Sequence, residues 1–344
     1  MDTFVLYLCT CLIAWLCTTG ALWILPRLAG SYLLDAPGGL KHHGRAIPAL
    51  GGSGILIGLA SSLVFIRLVT HFPTGTLHSL RGILWGGTII FLMGMLDDFK
   101  KPQGLPIWAK LTLQAAATLC LIHYGIVIRV FTSPWLAYPL TFLWVVGLTN
   151  AFNLLDILDG LCTTQALVAT LGLTLIALPS EWIYVNFAAL ALFGAGLAFL
   201  PFNFSTRHKL FLGDSGSNLL GFLIAALCLG TGYSDSSHWG FLAPLFIVGI
   251  PLADITFVTL ARLLQHKNPF KGSPDHAALR LQVAGWPLSR ILRTFILMAL
   301  ICNAAGSAVT ICSPVVTGLL FAMSGIIFLR IFYILFRLEI PHAR

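Results

Sequence analysis

Asn150, Asn153, Asp156 and Asp159 recur every three residues through a stretch that is otherwise apolar, Asn150-Ala151-Phe152-Asn153-Leu154-Leu155-Asp156-Ile157-Leu158-Asp159-Gly160-Leu161. That spacing places the four along one side of a helical or near-helical segment. In apolar surroundings such a stripe is costly unless it lines a wet cavity, holds an ion or hydrogen-bonds to a neighbouring helix. Two acids exceed what inter-helix bonding needs, so the stripe reads first as chemistry. A second acidic site is Asp97-Asp98, followed directly by Phe99-Lys100-Lys101. Adjacent carboxylates ionise together only beside a cation, so the pair calls for a metal, a basic partner or a raised pKa. Its plainer reading is a solvated helix end with Lys100 and Lys101 as counter-ions. In a third site, Phe211-Leu212-Gly213-Asp214-Ser215-Gly216-Ser217-Asn218, glycines allow close approach to a ligand and the N–H groups of a helix start favour an anion such as phosphate. Asp214 could hold a hard divalent cation beside that phosphate, or Asp214 or Ser215 could simply cap the helix. Gly-Asp-Ser-Gly also surrounds the nucleophile of trypsin-like proteases, but those are soluble β-barrel enzymes, an architecture foreign to this chain.

A basic stretch, with Asp254, Arg262, His266, Lys267, Lys271, Asp275, His276 and Arg280, supplies groups able to hold a diphosphate between metal and cation. Lys41, His42, His43 and Arg45 add to it from an earlier loop that ends in Pro48 and Gly51-Gly52.

The elements that must position these groups follow from composition. Of 344 residues, 58% are hydrophobic and 9% charged, where a soluble domain carries about 25% charged residues. The chain is therefore expected to be an integral membrane protein. Disorder, a disulfide scaffold and nucleic-acid binding are disfavoured, and the formal charge of +8 belongs to loops. The eight Cys show no C-x-x-C pair or mixed Cys/His cluster and read as packing or lipid-facing residues. Apolar runs of span length begin near Phe4, Gly51, Gly82, Ile107, Pro134, Leu161, Trp182, Ser217, Trp239, Ile291 and Val315. Without period-2 alternation they predict an all-α polytopic helix bundle of about eleven spans rather than a barrel. The first run, Phe4 to Leu25, is expected to be a retained span and not a signal peptide. Gly51, Gly54 and Gly58, then Gly82 and Gly86, read as close helix packing.

Orientation follows from the positive charges. With the N-terminus outside, only Arg67, Arg81 and Arg129 of the twenty Lys and Arg are left outside, as are only Asp2, Glu181 and Asp235 of the twelve carboxylates. The C-terminus is then cytoplasmic, and one membrane-embedded domain covering 1–344 is expected. No internal repeat is evident.

In the order and content of these motifs the chain resembles the polyprenyl-phosphate N-acetylhexosamine-1-phosphate transferase superfamily, glycosyltransferase family 4, which also includes the phospho-MurNAc-pentapeptide translocases. The match runs through Lys41 to Gly52, Asp97-Asp98, Asn150 to Leu161, Gly213 to Ser217, Pro251-Leu252-Ala253-Asp254 and Asp275-His276. The resemblance implies Mg²⁺-dependent transfer of HexNAc-1-phosphate, GlcNAc by default, from a UDP-sugar to undecaprenyl (polyprenyl) phosphate, with Mn²⁺ as a substitute metal. UMP would be released at the cytoplasmic face of a bacterial inner membrane, initiating a lipid-linked polymer such as O-antigen, capsule or a teichoic acid linkage; a homodimer is plausible by the same resemblance. It implies Asp214 as a metal ligand, Asp97 and Asp98 at the acceptor phosphate, and Asn153 and Asp156 at the nucleotide and metal. Joined to the spacing arguments, the candidates are Asp97, Asp98, Asp156 and Asp159 for catalysis, Asp214 and Asp156 for metal, and Lys41, Arg45, Asn150, Asn153, Gly213, Ser215, His276 and Arg280 for substrate. Two positions depart from the family pattern. Ile157 stands where Asp-Gly-x-Asp-Gly has its first glycine, and Leu279 stands where many relatives have a second His, leaving His276 and Arg280 for that motif. The rival reading is a cation- or proton-coupled transporter relaying through Asp156, Asp159 and Asp254. Acids gathered at one face rather than the midplane argue against it.

Overall fold

The computed structural model describes residues 3–29, 33–35, 46–70, 76–178, 183–230, 233, 239–266, 268 and 275–338. Lys41 and Arg45 lie outside them. The described chain is a polytopic membrane helix bundle, and each apolar run named above is largely helical over its described residues. In order, the elements are α1 (Thr3–Ala29), β1 (Leu34–Asp35), β2 (Ile47–Pro48), α2 (Gly51–Val69), α3 (Thr76–Phe99), α4 (Ile107–His123), α5 (Pro134–Leu155), α6 (Leu161–Ala177) and α7 (Ile183–Phe204). There follow α8 (Gly213–Leu229), a 3₁₀ turn at Gly240–Leu242, α9 (Ala243–Ile247), α10 (Gly249–Leu264), α11 (Ala277–Val283), α12 (Leu288–Val309) and α13 (Pro314–Arg337). Among the described residues seven helices, α1, α2, α3, α5, α7, α12 and α13, are long and apolar enough to cross a bilayer, and Gly240–Ile247 with α10, bent by 67°, forms an eighth if taken as one broken span. The remaining three apolar helices, α4, α6 and α8, are 17 residues each.

The chain divides into two compact units, Met1–Thr231 and Gly232–Arg344. In the first, small residues let neighbouring helices pack closely, the expected use of the glycine stripe. Gly54 abuts Leu22, Gly58 abuts Thr18 and Ala14, Gly82 abuts Tyr124 and Gly86 abuts Phe222. The core helix of this unit is α8: from Gly213 to Cys228 every residue is buried except Asp214. One carboxylate thus emerges from a helix otherwise enclosed by protein. The antiparallel ladder of β1 and β2, absent from the sequence expectations, pairs Leu34 with Pro48 and Asp35 with Ile47. Beyond it the chain runs beside the approach to α8, with Phe211 N–H on the Pro48 carbonyl at 3.0 Å and Gly51 N–H on the Phe211 carbonyl at 2.9 Å.

In the second unit Gly306 of α12 abuts Ala243 and Phe246, and Phe246 and Phe257 pack edgewise or tilted on Phe321 and Phe332 of α13. Only Thr317 and Leu335 of α13 are buried; its exposed apolar side chains suit lipid contact.

Candidate active site

The first turn of α8 is gripped from two sides. A Cβ added to Gly94 of α3 would lie 2.4 Å from Ser215 Cα and 2.5 Å from the Asp214 carbonyl oxygen, and one added to Gly52 of α2 would lie 2.4 Å from the Gly216 nitrogen. Gly213, at φ +76°, turns the chain into the helix in the left-handed region that glycine adopts without strain. One turn after Gly94, Asp98 meets the helix start: its Oδ1 accepts the Asp214 N–H and its Oδ2 the Ser215 N–H, both at 3.0 Å. The N–H groups expected to attract a substrate phosphate therefore already hold an anion, the protein's own carboxylate. Gly213 and Ser215 serve that arrangement, Gly213 by its backbone shape and Ser215 as a buried donor.

Lys101 Nζ lies 2.7 Å from Asp98 Oδ1 and 3.2 Å from Asp214 Oδ2. Lys101, rather than Lys100, has the counter-ion role. Asp97 turns the other way: Oδ2 accepts from Lys110 Nζ at 2.6 Å, Oδ1 accepts the Leu105 N–H, and the carboxyl adjoins that of Asp214. Asp214 Oδ1 also accepts from Asn153 Nδ2 at 2.9 Å, and the same Nδ2 lies 2.9 Å from Ser217 Oγ. The side chains of Asp97 and Asp98 are 4% and 1% exposed, against 23% for Asp214, 27% for Lys101 and 29% for Lys110. A ligand thus meets the two lysines and Asp214, while Asp97 and Asp98 stand behind them.

The expected stripe on α5 is broken by the end of the helix at Leu155, and its four members have different partners. Asn153 joins Asp214, as above. Asn150 pairs with Gln114 of α4, its Nδ2 donating to Gln114 Oε1 at 2.9 Å. Asp159, in the turn before α6, forms an ion pair with Lys209. Gly160, at φ +75°, fixes that turn, and Asn203 ties it down by accepting the Gly160 N–H at 2.6 Å and donating to the Leu210 carbonyl at 2.9 Å. Asp156 caps the end of α5 and is exposed. Desolvation first, then the charge of Asp214, pushes its carboxyl up to about 8, with Asp98 and Asp159 adding to the rise and Lys101 opposing it.

In the second unit Asp254 of α10 accepts the Ala277 N–H at 3.1 Å and lies 2.9 Å from His276 Nδ1. Arg280 donates to Asp275 Oδ1 at 2.9 Å and, through Nη1, to the carbonyls of Leu335 and Leu338 at 3.1 and 3.0 Å. Its guanidinium also faces the Phe257 and Phe336 rings. Arg280, expected at a diphosphate, is buried and engaged with the end of α13.

Sequence reasoning missed Lys110 and Gln114 as parts of the site. The signal for both was their spacing of four, which puts them on one face of α4. Among the described residues no three His, Cys, Asp or Glu side chains converge into a ready-made metal cage. The oxygen donors Asp214 and Asp156 fit a hard cation that takes one or two carboxylates and completes its shell with substrate oxygens and water.

Fold and site together define a multi-span helical membrane protein with acids and lysines gathered at the start of an enclosed helix. Residues 80–232 match the model of glycosyl transferase family 4. A Bacillus subtilis protein named probable undecaprenyl-phosphate N-acetylglucosaminyl 1-phosphate transferase is 30% identical over 273 residues, covering 77% of this chain and 73% of the relative. Undecaprenyl-phosphate alpha-N-acetylglucosaminyl 1-phosphate transferase of Thermotoga maritima is 33% identical, with 77% and 79% covered. Phospho-N-acetylmuramoyl-pentapeptide-transferase of Latilactobacillus sakei is 30% identical, with 77% and 86% covered. The chain belongs to glycosyl transferase family 4.

Proposed function

We propose that this protein transfers a HexNAc-1-phosphate, GlcNAc-1-phosphate by default, from a UDP-sugar to undecaprenyl or another polyprenyl phosphate and releases UMP. The observation that carries the reading is the cluster of Lys101, Lys110 and Asp214 over the buried pair Asp97 and Asp98; the names of the relatives support the acceptor and the transferred group. The orientation of the charges supports a cytoplasmic site in a bacterial inner membrane, with the N-terminus outside and about eleven crossings.

Phosphoryl transfer needs positioning and charge neutralisation more than covalent chemistry from the protein. An oxygen of the lipid phosphate attacks the phosphorus attached to the sugar, and the anhydride bond to UMP breaks as the new bond forms. Lys101 and Lys110 are placed to hold phosphate oxygens and balance the charge that gathers there. Asp98 anchors α8 and so aims Asp214; Asp97 holds Lys110. Because the oxygens of Asp97 and Asp98 already accept from N–H groups and lysines, direct displacement is favoured over an aspartyl-phosphate on either. Asp214 and Asp156 would hold Mg²⁺, which when bound neutralises the donor diphosphate. Asn153 orients Asp214.

Purified protein incubated with labelled UDP-HexNAc, polyprenyl phosphate and Mg²⁺ should yield a sugar linked to the polyprenyl chain through a diphosphate, together with UMP. Folded protein that yields neither with any common UDP-HexNAc would sink the proposal.

A further inference from the structure

We infer that Gln114 and Asn150 form a positioning device that sets the reach of Lys110 to Asp97; the inference rests on the transferase reading above. Gln114 is buried, 1% exposed, and its amide meets that of Asn150 in both directions, Asn150 Nδ2 to Gln114 Oε1 at 2.9 Å and Gln114 Nε2 to Asn150 Oδ1 at 3.4 Å. Asn150 Nδ2 also donates to the Val146 carbonyl at 2.8 Å, which fixes the amide's orientation on α5. Lys110 lies one turn before Gln114 on the same face of α4, and its Nζ is 2.6 Å from Asp97 Oδ2.

The apolar contacts of α4 do little to hold this end of the helix. Ile107, Trp108 and Leu111 are 51%, 71% and 39% exposed, and the close glycine contacts with α3 fall further along, where Gly86 meets Ala117 and Gly82 meets Tyr124. Between helices in lipid, apolar contact supplies little driving force for one register over another, whereas a reciprocal amide pair is directional. A slip of one residue moves a side chain about 1.5 Å along the axis and turns it by about 100°, enough to take Lys110 off Asp97. Asn150, expected to touch substrate, thus acts through Gln114 and Lys110.

The test is a double-mutant cycle in the lipid-product assay. Gln114→Leu and Asn150→Leu should each lower kcat by about tenfold or more, the scale on which small misplacements act, with KM for the UDP-sugar nearly unchanged. In a Lys110→Met background the same changes should cost less than about twofold, because coupled residues are non-additive. The swapped pair Gln114→Asn with Asn150→Gln restores two facing amides and should recover most of the activity. Where a leucine variant does not fold, Asn150→Ser, too short to reach Gln114, takes its place in the cycle. Equal losses with and without Lys110, a raised KM as the main effect, or no recovery in the swapped pair would overturn the inference. Wild-type protein without turnover would instead overturn the transferase reading.

Discussion

Asp98 and Ser215 are joined across two helices, the carboxylate of one accepting the backbone N–H of the other at 3.0 Å, with the neighbouring Asp214 N–H on the second oxygen. The bond binds the last turn of α3 to the first turn of α8, and the only incompletely buried residue from Gly213 to Cys228 is the one it positions, Asp214. Removing the anion should therefore disturb both stability and geometry. Asp98→Ala is expected to destabilise the protein by about 2–4 kcal/mol, since it strands one buried and one part-buried N–H donor and loses charge-assisted bonds. Thermal melting in detergent measures this, and Asp98→Asn should recover only part of the loss, because an amide keeps one acceptor and lacks the charge of Lys101's partner.

Gly94→Ala should be the most disruptive methyl addition on α3. The new carbon meets backbone at 2.4 Å, whereas at Gly87 it meets only the tips of Leu219 and Leu223 at 3.5 Å. Overpacking of the first kind costs roughly 1–3 kcal/mol, and here the displaced backbone carries Asp214. Turnover should fall at least tenfold in Gly94→Ala and stay near normal in Gly87→Ala, as product formation and melting measured together would reveal.

Asp214→Asn should abolish turnover while leaving the fold intact, because Asn153, Lys101 and the helix start remain and only the charge is lost. Circular dichroism and the lipid-product assay separate the two effects; near-normal activity would remove the metal role proposed for this residue.

Asp156, pushed up to about 8 by its surroundings, should be protonated at pH 7 in the metal-free protein, whereas an ordinary aspartate ionises near pH 3.9. Below about pH 8 a divalent cation then has to displace a proton, so Mg²⁺ affinity should climb between pH 6 and pH 8 and level off above. Titration calorimetry in buffers of different ionisation enthalpy measures the proton released, and Asp156→Asn should flatten the profile.

Arg280→Lys should loosen the end of α13. The substitution loses the fork that spans Asp275 and the carbonyls of Leu335 and Leu338, and an ammonium does not reproduce that planar arrangement. Faster hydrogen exchange at residues 335–338 and a lower melting temperature are expected, with little change in KM for the UDP-sugar. A raised KM with unchanged exchange would return Arg280 to the substrate.

Much of the helical frame was legible in the apolar runs because run length and helix length report the same burial. The starts at Gly51, Ile107, Pro134 and Leu161 coincide with helix starts, while Ser217 and Gly82 mark helices that begin earlier, at Gly213 and Thr76. Polar first turns hid those beginnings. The acids Asp97, Asp98 and Asp214 were legible as a set through their rarity. Their division of labour was not, because it depends on which carboxylate faces a helix start and which faces a lysine from another helix. The Asn150 to Asp159 stripe shows the same limit. Spacing of three implied one side of one helix, yet the helix ends at Leu155: Asp159 lies in the turn beyond it and pairs with Lys209, while Asn150 and Asn153, still on α5, face α4 and α8 respectively. Gln114 carried no sign in isolation; its meaning comes from facing an asparagine on α5.

Gly94 and Gly52 also have a mechanical consequence. Because α8 begins backbone to backbone against α3 on one side and α2 on the other, Asp214 has no side-chain padding to absorb a shift of either helix. Both are span-length helices, and such helices tilt to match the thickness of the hydrocarbon around them. A change in bilayer thickness that tilts either helix is therefore expected to reach the carboxylate, and turnover in vesicles of graded acyl-chain length should change with it.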